Sequence, residues 1–61
     1  MDKMDKFTVG QKVAFAPKNG EEFPTGEKVR TGTVETITDN ELVVRQKEDG
    51  FTRRISPFQV L

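Results

Sequence analysis

The chain has no cysteine, no histidine, no tryptophan and no tyrosine, and each absence removes a class of chemistry. Without Cys or His there is no zinc site of the usual kind, no disulfide staple, no imidazole base and no thiolate nucleophile. Without Trp or Tyr, the grooves that take proline helices and the cages that take methylated lysine lack their usual walls. Ser56 is the only serine, with no histidine to activate it. The carboxylate pairs Glu21-Glu22 and Glu48-Asp49 fall in expected loops, where solvation keeps them ordinary acids. No Asp-rich stretch has the spacing of a calcium loop. The sequence therefore predicts no catalytic residue, no metal and no cofactor; the expectation is a protein that is not an enzyme.

Long apolar runs are also missing. Val13–Ala16 and Leu42–Val44 fall far short of the roughly 20 residues a membrane-spanning helix needs. Met1–Lys6 has no apolar stretch behind its charges, as a secretory signal requires. A cytoplasmic address without a membrane partner is the expectation. Charge of one sign is absent as well, since 10 Lys+Arg balance 10 Asp+Glu. That argues against a general polyanion binder, which carries a basic excess. What is present is 61 residues, 33% of them hydrophobic, enough to form one core and not two.

Residues 1–6 repeat Met-Asp-Lys and hold nothing that must be buried. They are expected to be a flexible tail, with Met1 and Met4 equivalent candidates for the start, ahead of a domain over 7–61. That domain reads as β. Val, Ile and Thr are 16 of the 61 residues, and these types suit a pleated, half-buried surface. No window carries the apolar stripe of an amphipathic helix. Strands are expected over Gln11–Ala16, Lys28–Thr38, Glu41–Lys47, Phe51–Ile55 and Gln59–Leu61. In the first, Val13 and Phe15 face one way, Lys12 and Ala14 the other. In the second, Val34 and Ile37 are three apart, so a β-bulge near Glu35–Thr36 is needed to bring both to one face. Gly32 marks a bend or a close backbone approach. Residues 17–27 hold two Pro and two Gly and read as a long loop. Asp39-Asn40 and Asp49-Gly50 read as tight hairpin turns, and Ser56-Pro57-Phe58 as a one-turn break before the last strand. The expected core is Val13, Phe15, Val29, Val34, Ile37, Leu42, Val44, Ile55, Phe58 and Val60.

Five short strands with a long first loop, tight hairpins and a late break suggest a small closed barrel, which would remove open edges. Val9-Gly10-Gln11-Lys12-Val13, the run Val29–Ile37, and Asp39-Asn40 followed by Leu42-Val43-Val44 resemble the SH3-like barrels, and among them the KOW/Tudor-type modules. Gly32, Val34 and Ile37 match the glycine and spaced apolar residues of the bent strand in such modules. The resemblance implies a five-stranded barrel and a binding role toward RNA or a nucleic-acid machine. The loop over 17–27 departs from the compact Gly-rich loop of that family, so no contact is carried over through it. Ile55-Ser56-Pro57 also resembles, faintly, the end of plasmid-borne type II dihydrofolate reductases, SH3-like chains active as tetramers. Their Val-Gln-Ile-Tyr pore motif is missing here.

Two surfaces are candidate binding sites. A two-residue Asp49-Gly50 turn would set Val44 against Ile55 inside and Arg45 against Arg54 outside, with Lys47 beside them. Like charges set opposite destabilise a hairpin, and an anion-binding face is one setting that tolerates them. Arg30 and Arg53 would extend this basic face. The alternative is a solvated face whose arginines are neutralised by Glu35, Glu41 or Glu48. The second surface is the acidic loop, where Phe23 and Pro24 either form an apolar anchor for a protein partner or, as preferred, Phe23 folds back to cap the core. Phe51, beginning a strand beside Lys47 and Arg53, is expected to pack the barrel end; if exposed it would be placed to stack on a base. The leading expectation is a non-catalytic module contacting RNA or a nucleic-acid-associated protein through the basic hairpin. The runner-up is a protein-interaction module that uses the 17–27 loop or a strand edge. The chain is expected to be a monomer or a small homo-oligomer.

Overall fold

A computed structural model of the chain describes residues 6–61; most of the expected tail, residues 1–5, lies outside the described residues. The described chain is all-β. It forms one antiparallel sheet of four strands in sequential order, β1 (Lys12–Phe15), β2 (Arg30–Ile37), β3 (Leu42–Gln46) and β4 (Thr52–Ile55). Each begins and ends within two residues of its expected span.

The fifth strand is reduced to a single antiparallel bridge between Val60 and Phe15. Residues Pro57–Gln59 instead form a 3-10 turn. Pro57 has no N–H to give a ladder, and its fixed φ suits the first position of a helical turn. Ser56 and Gln59 close that turn reciprocally: Phe58 N–H donates to Ser56 Oγ at 3.2 Å and Ser56 N–H to Gln59 Oε1 at 3.0 Å. Only Val60 and Leu61 are left to pair. The segment still covers part of the free edge of β1, because Ala16 N–H donates to Gln59 O and Leu61 N–H to Ala14 O, each at 2.9 Å.

The bulge lies where the sequence requires it. Pairing of β2 with β3 shifts between Val34 and Thr36, so Glu35 is the extra residue. Val34 then faces Val44 and Ile37 faces Leu42, both on the inner side. Gly32 is a place of close approach: a Cβ there would lie 2.3 Å from Val44 Cγ1 and 2.6 Å from the Arg45 carbonyl oxygen. The Asp39-Asn40 turn differs from expectation, because neither residue has a positive φ. Thr38 closes it instead, donating its N–H to Glu41 O at 2.9 Å and accepting Glu41 N–H on its hydroxyl at 3.1 Å.

The buried core is Val13, Phe15, Phe23, Val34, Leu42, Val44 and Ile55, with Phe7, Ile37 and Val60 packed against it. Val29 and Phe58, expected inside, are 46% and 75% exposed. Val29 precedes a strand that begins at Arg30, so alternation turns Arg30 inward and Val29 outward. Phe58 sits in the 3-10 turn, which no longer follows the strand's alternation. Phe51, expected to pack the barrel end, is 71% exposed.

Candidate nucleic-acid interface

The structure divides the expected basic cluster between the two faces of the sheet. Arg45, Lys47 and Arg54 lie on the outer face and are exposed, whereas Arg30 is buried and Arg53 half-buried on the inner side. The hairpin register explains part of this. Arg45 stands opposite Thr52 and Val43 opposite Arg54, so the pairing is displaced by two residues from a two-residue turn. The loop holds four residues, Lys47–Gly50, closed by Gln46 N–H to Phe51 O and Gly50 N–H to Gln46 O, each at 2.9 Å. Gly50 takes a φ of 76° there, which glycine adopts without steric cost. The expected face-to-face Arg45/Arg54 pair is thus corrected to a diagonal one.

On the outer face one row crosses all four strands: Lys12, Thr33, Arg45 and Thr52 are successive partners. The adjacent row is Ala14 and Thr31, reaching Lys47 through its N–H to Thr31 O at 2.9 Å. Over these rows lies a groove of about 650 Å³ lined by Lys12, Thr31, Thr33, Arg45, Lys47 and Gly50 among others. Lys12 and Arg45 stand two strands apart, roughly 9.5 Å by ordinary strand spacing, with Thr33 between them. Lys12 was absent from the expected site. Its outward direction follows from alternation, but only the β1–β2 register aligns it with Arg45, and the long loop hides that register.

Glu35 does neutralise one of these cations. Arg45 Nε donates to Glu35 Oε2 at 2.5 Å and Nη2 to Oε1 at 3.3 Å, while Nη1 reaches Gly50 O at 2.6 Å. The same carboxylate raises the pKa of Arg45 further, chiefly by that hydrogen bond. Glu48 is also engaged, accepting Thr31 N–H at 3.1 Å. Lys12, Lys47 and Arg54 are exposed without a salt bridge among the described residues.

The inner arginines have a different task. Arg30 is 5% exposed and fully engaged: Nε with Glu27 at 2.7 Å, Nη1 with Gln46 Oε1 at 2.7 Å and Asp49 at 3.3 Å, Nη2 with Thr25 at 3.1 Å. Its guanidinium carbon lies 4.5 Å from the centre of the Phe23 ring, and that of Arg53 lies 5.2 Å from it. Phe23 meets Phe15 edge-on at 5.8 Å. Arg53 Nε also donates to Gln46 Oε1 at 3.2 Å. Glu27 is held below its ordinary value, first by the Thr25 hydroxyl and then by Arg30. Of the alternative loop site, Phe23 is thus buried at 3% exposure and Pro24 is exposed.

Among the described residues, no group of three or more acidic, His or Cys side chains is placed to hold a metal ion, and no helix is long and apolar enough to cross a membrane. Comparison of the chain with protein-family models, with curated proteins and with solved structures finds no match.

Proposed function

We propose that the protein is a non-catalytic binding module of the SH3-like barrel type, of the KOW/Tudor kind, which takes the phosphate backbone of RNA across the outer face of its sheet. The observation that carries this reading is the row Lys12–Thr33–Arg45–Thr52 with Lys47 beside it. Alternating cations and hydroxyls suit a chain of phosphates, which accept charge-assisted hydrogen bonds from both. The barrel assignment draws on the bulged eight-residue β2, the sequential hairpins, and the 3-10 turn that leads the C-terminal segment back to β1. Arg30 and Arg53 shape the domain from within and do not touch the ligand.

Such a face makes few phosphate contacts. Lys12, Lys47 and Arg54 are its cations without a salt bridge among the described residues, and three phosphate contacts give a salt slope of about −2 to −2.7, hence a loss of roughly 20–40-fold in affinity between 50 and 200 mM salt. The test is fluorescence anisotropy of a labelled RNA at those two salt concentrations, with wild-type protein and with Lys12→Glu/Lys47→Glu. Both lysines are exposed and, among the described residues, have no salt-bridge partner, so the double variant is expected to keep the fold. Absence of binding at low salt, or undiminished binding by the variant, refutes the proposal.

A further inference from the structure

We infer that the outer edge of β4 takes an extended acidic segment of a partner protein as an added strand, independently of any ligand on the outer face. The sheet has two edges, and the chain itself covers part of β1: Ala16 N–H donates to Gln59 O and Leu61 N–H to Ala14 O, each at 2.9 Å. β4 pairs only with β3. Gln46 N–H donates to Phe51 O. By the alternation of an antiparallel ladder, Arg53 and Ile55 then also turn their backbone groups toward β3, while Thr52 and Arg54 turn theirs outward. Those outward N–H and C=O groups have no hydrogen-bond partner among the described residues, and such a row is a template for another strand. It is bounded at both ends. Gly50 gives its N–H to Gln46 O and its carbonyl to Arg45. Ser56 gives its N–H to Gln59 Oε1 and its carbonyl to Gln59 N–H.

The side chains on the edge select the occupant. Arg54 is exposed on the outer face and Arg53 half-buried on the inner one, and neither has a salt bridge among the described residues. A second copy fits poorly. Of the antiparallel registers that join the outward groups, one opposes Arg53 to Arg53 and another Arg54 to Arg54, and like charges set opposite destabilise. The third opposes Thr52 to Thr52, and its next bonded pair needs the Gly50 groups that are already engaged. Carboxylates beside both arginines turn the same repulsion into attraction on each face of the added strand. In the antiparallel direction, the more stable per residue, the next two positions lie beside Thr52 and then Phe51. The Phe51 ring is 71% exposed on the inner side, so an apolar residue beside it leaves water with it. From N- to C-terminus, the segment that fits is acidic, acidic, β-branched, apolar.

The probe is the peptide acetyl-Thr-Glu-Glu-Val-Phe-Thr-amide, followed by fluorescence anisotropy and by amide hydrogen exchange of the protein. It is expected to slow exchange at Thr52 and Arg54 and to leave Arg53, already bonded to β3, unchanged. N-methylation of the first Glu and of Val, whose N–H groups would face β4, is expected to abolish binding. N-methylation of the second Glu and of Phe, whose N–H groups would face away, is not. Arg54→Glu weakens binding about three- to tenfold, and a peptide with Lys in place of both Glu residues gains on that variant. Lys12→Glu lies on the far strand and leaves peptide affinity unchanged while weakening RNA, so the two readings fail separately. Absence of peptide binding, equal effects of the two N-methylated peptides, or an equal loss with Lys12→Glu overturns the inference. A wild-type dimer in sedimentation with Thr52 and Arg54 amides protected would assign the edge to a second copy. Protection of those amides by single-stranded RNA would assign it to RNA. Either result also overturns the inference.

Discussion

Replacing Phe23 by alanine separates a loop residue that builds the domain from one that waits for a partner. The ring is 3% exposed, edge-on to Phe15 at 5.8 Å, and lies under two guanidinium groups at 4.5 and 5.2 Å. A buried Phe→Ala change costs about 3–5 kcal/mol. A domain of this length has a total stability of about 3–9 kcal/mol, scaled per residue. One substitution thus removes between a third and all of it. The variant is expected to lose at least about 12 °C in midpoint temperature, or to be largely unfolded at 25 °C. Phe23→Leu keeps most of the volume and loses the π face. Its smaller loss measures what the ring gains from Arg30 and Arg53, about 1–2 kcal/mol.

Thermal and urea unfolding followed by circular dichroism give both numbers. An effect of Phe23→Ala below about 0.5 kcal/mol, the scale of a neutral surface change, would show that the loop does not close the core and would return Phe23 to the role of a free anchor. A large effect of Phe23→Ala with none for Phe23→Leu would leave the closure intact and remove the guanidinium contacts as a source of stability.

Three further outcomes are expected. Gly32→Ala forces a methyl group to within 2.6 Å of the Arg45 carbonyl oxygen, a backbone atom of the neighbouring strand, so it destabilises by about 1–3 kcal/mol in urea melts; a neutral substitution would mean that β2 and β3 part without cost. Glu27 has its pKa lowered in the folded protein, so it contributes stability above the ordinary carboxylate value of 4.5 that is lost as pH falls through its folded value. The stability gap between wild type and Glu27→Gln is therefore expected to be constant near neutrality and to close in more acidic solution, and a gap independent of pH would refute the Thr25–Glu27–Arg30 linkage. Ser56→Ala removes the acceptor for Phe58 N–H and is expected to cost about 1 kcal/mol, with faster amide exchange at Leu61 as the C-terminal segment loosens from β1.

Strand faces were legible because alternation needs only neighbours in sequence. Val13, Phe15, Leu42, Val44 and Ile55 follow it directly, and the three-residue spacing of Val34 and Ile37 was enough to require the bulge that β2 contains. Val29 misled for a reason visible in retrospect. It lies five positions from Val34, an odd number, so uninterrupted alternation cannot bury both. Arg30 takes the inner position instead, which is tolerable only because Glu27, Gln46, Asp49 and Thr25 all reach it. Those partners come from a loop, a strand end and a turn, and no local pattern marks them as a set. Lys12 was hidden in the same way, since its alignment with Arg45 depends on pairing across a loop of 14 residues between β1 and β2. Local order was readable, and the site built from distant segments was not.

The hairpin shows why a satisfied hydrophobic check does not determine a surface. A shift of one residue would turn every side chain to the wrong face, but a shift of two keeps each on its own. Val44 against Ile55 and Leu42 against Ile55 both bury their partners, so burial alone accepts either register. The turn decides. A two-residue Asp49-Gly50 loop would oppose Arg45 and Arg54, at a cost from like charges. The four-residue loop, with Gly50 supplying the left-handed residue, sets Arg45 against Thr52 and moves Arg54 two residues away on a diagonal. The same choice aims Arg45 at the Gly50 carbonyl and Glu35 and leaves a threonine on each side of it in the row. Relief of charge repulsion in the hairpin and the spacing of cations with hydroxyls along the groove are thus one event. A variant that shortens the loop to two residues by deleting Lys47 and Glu48 keeps Gln46 beside Phe51 and therefore keeps Arg45 against Thr52. It is expected to weaken RNA binding by no more than Lys47→Ala does, and a clearly larger loss would show that the four-residue loop serves the face beyond the register it sets.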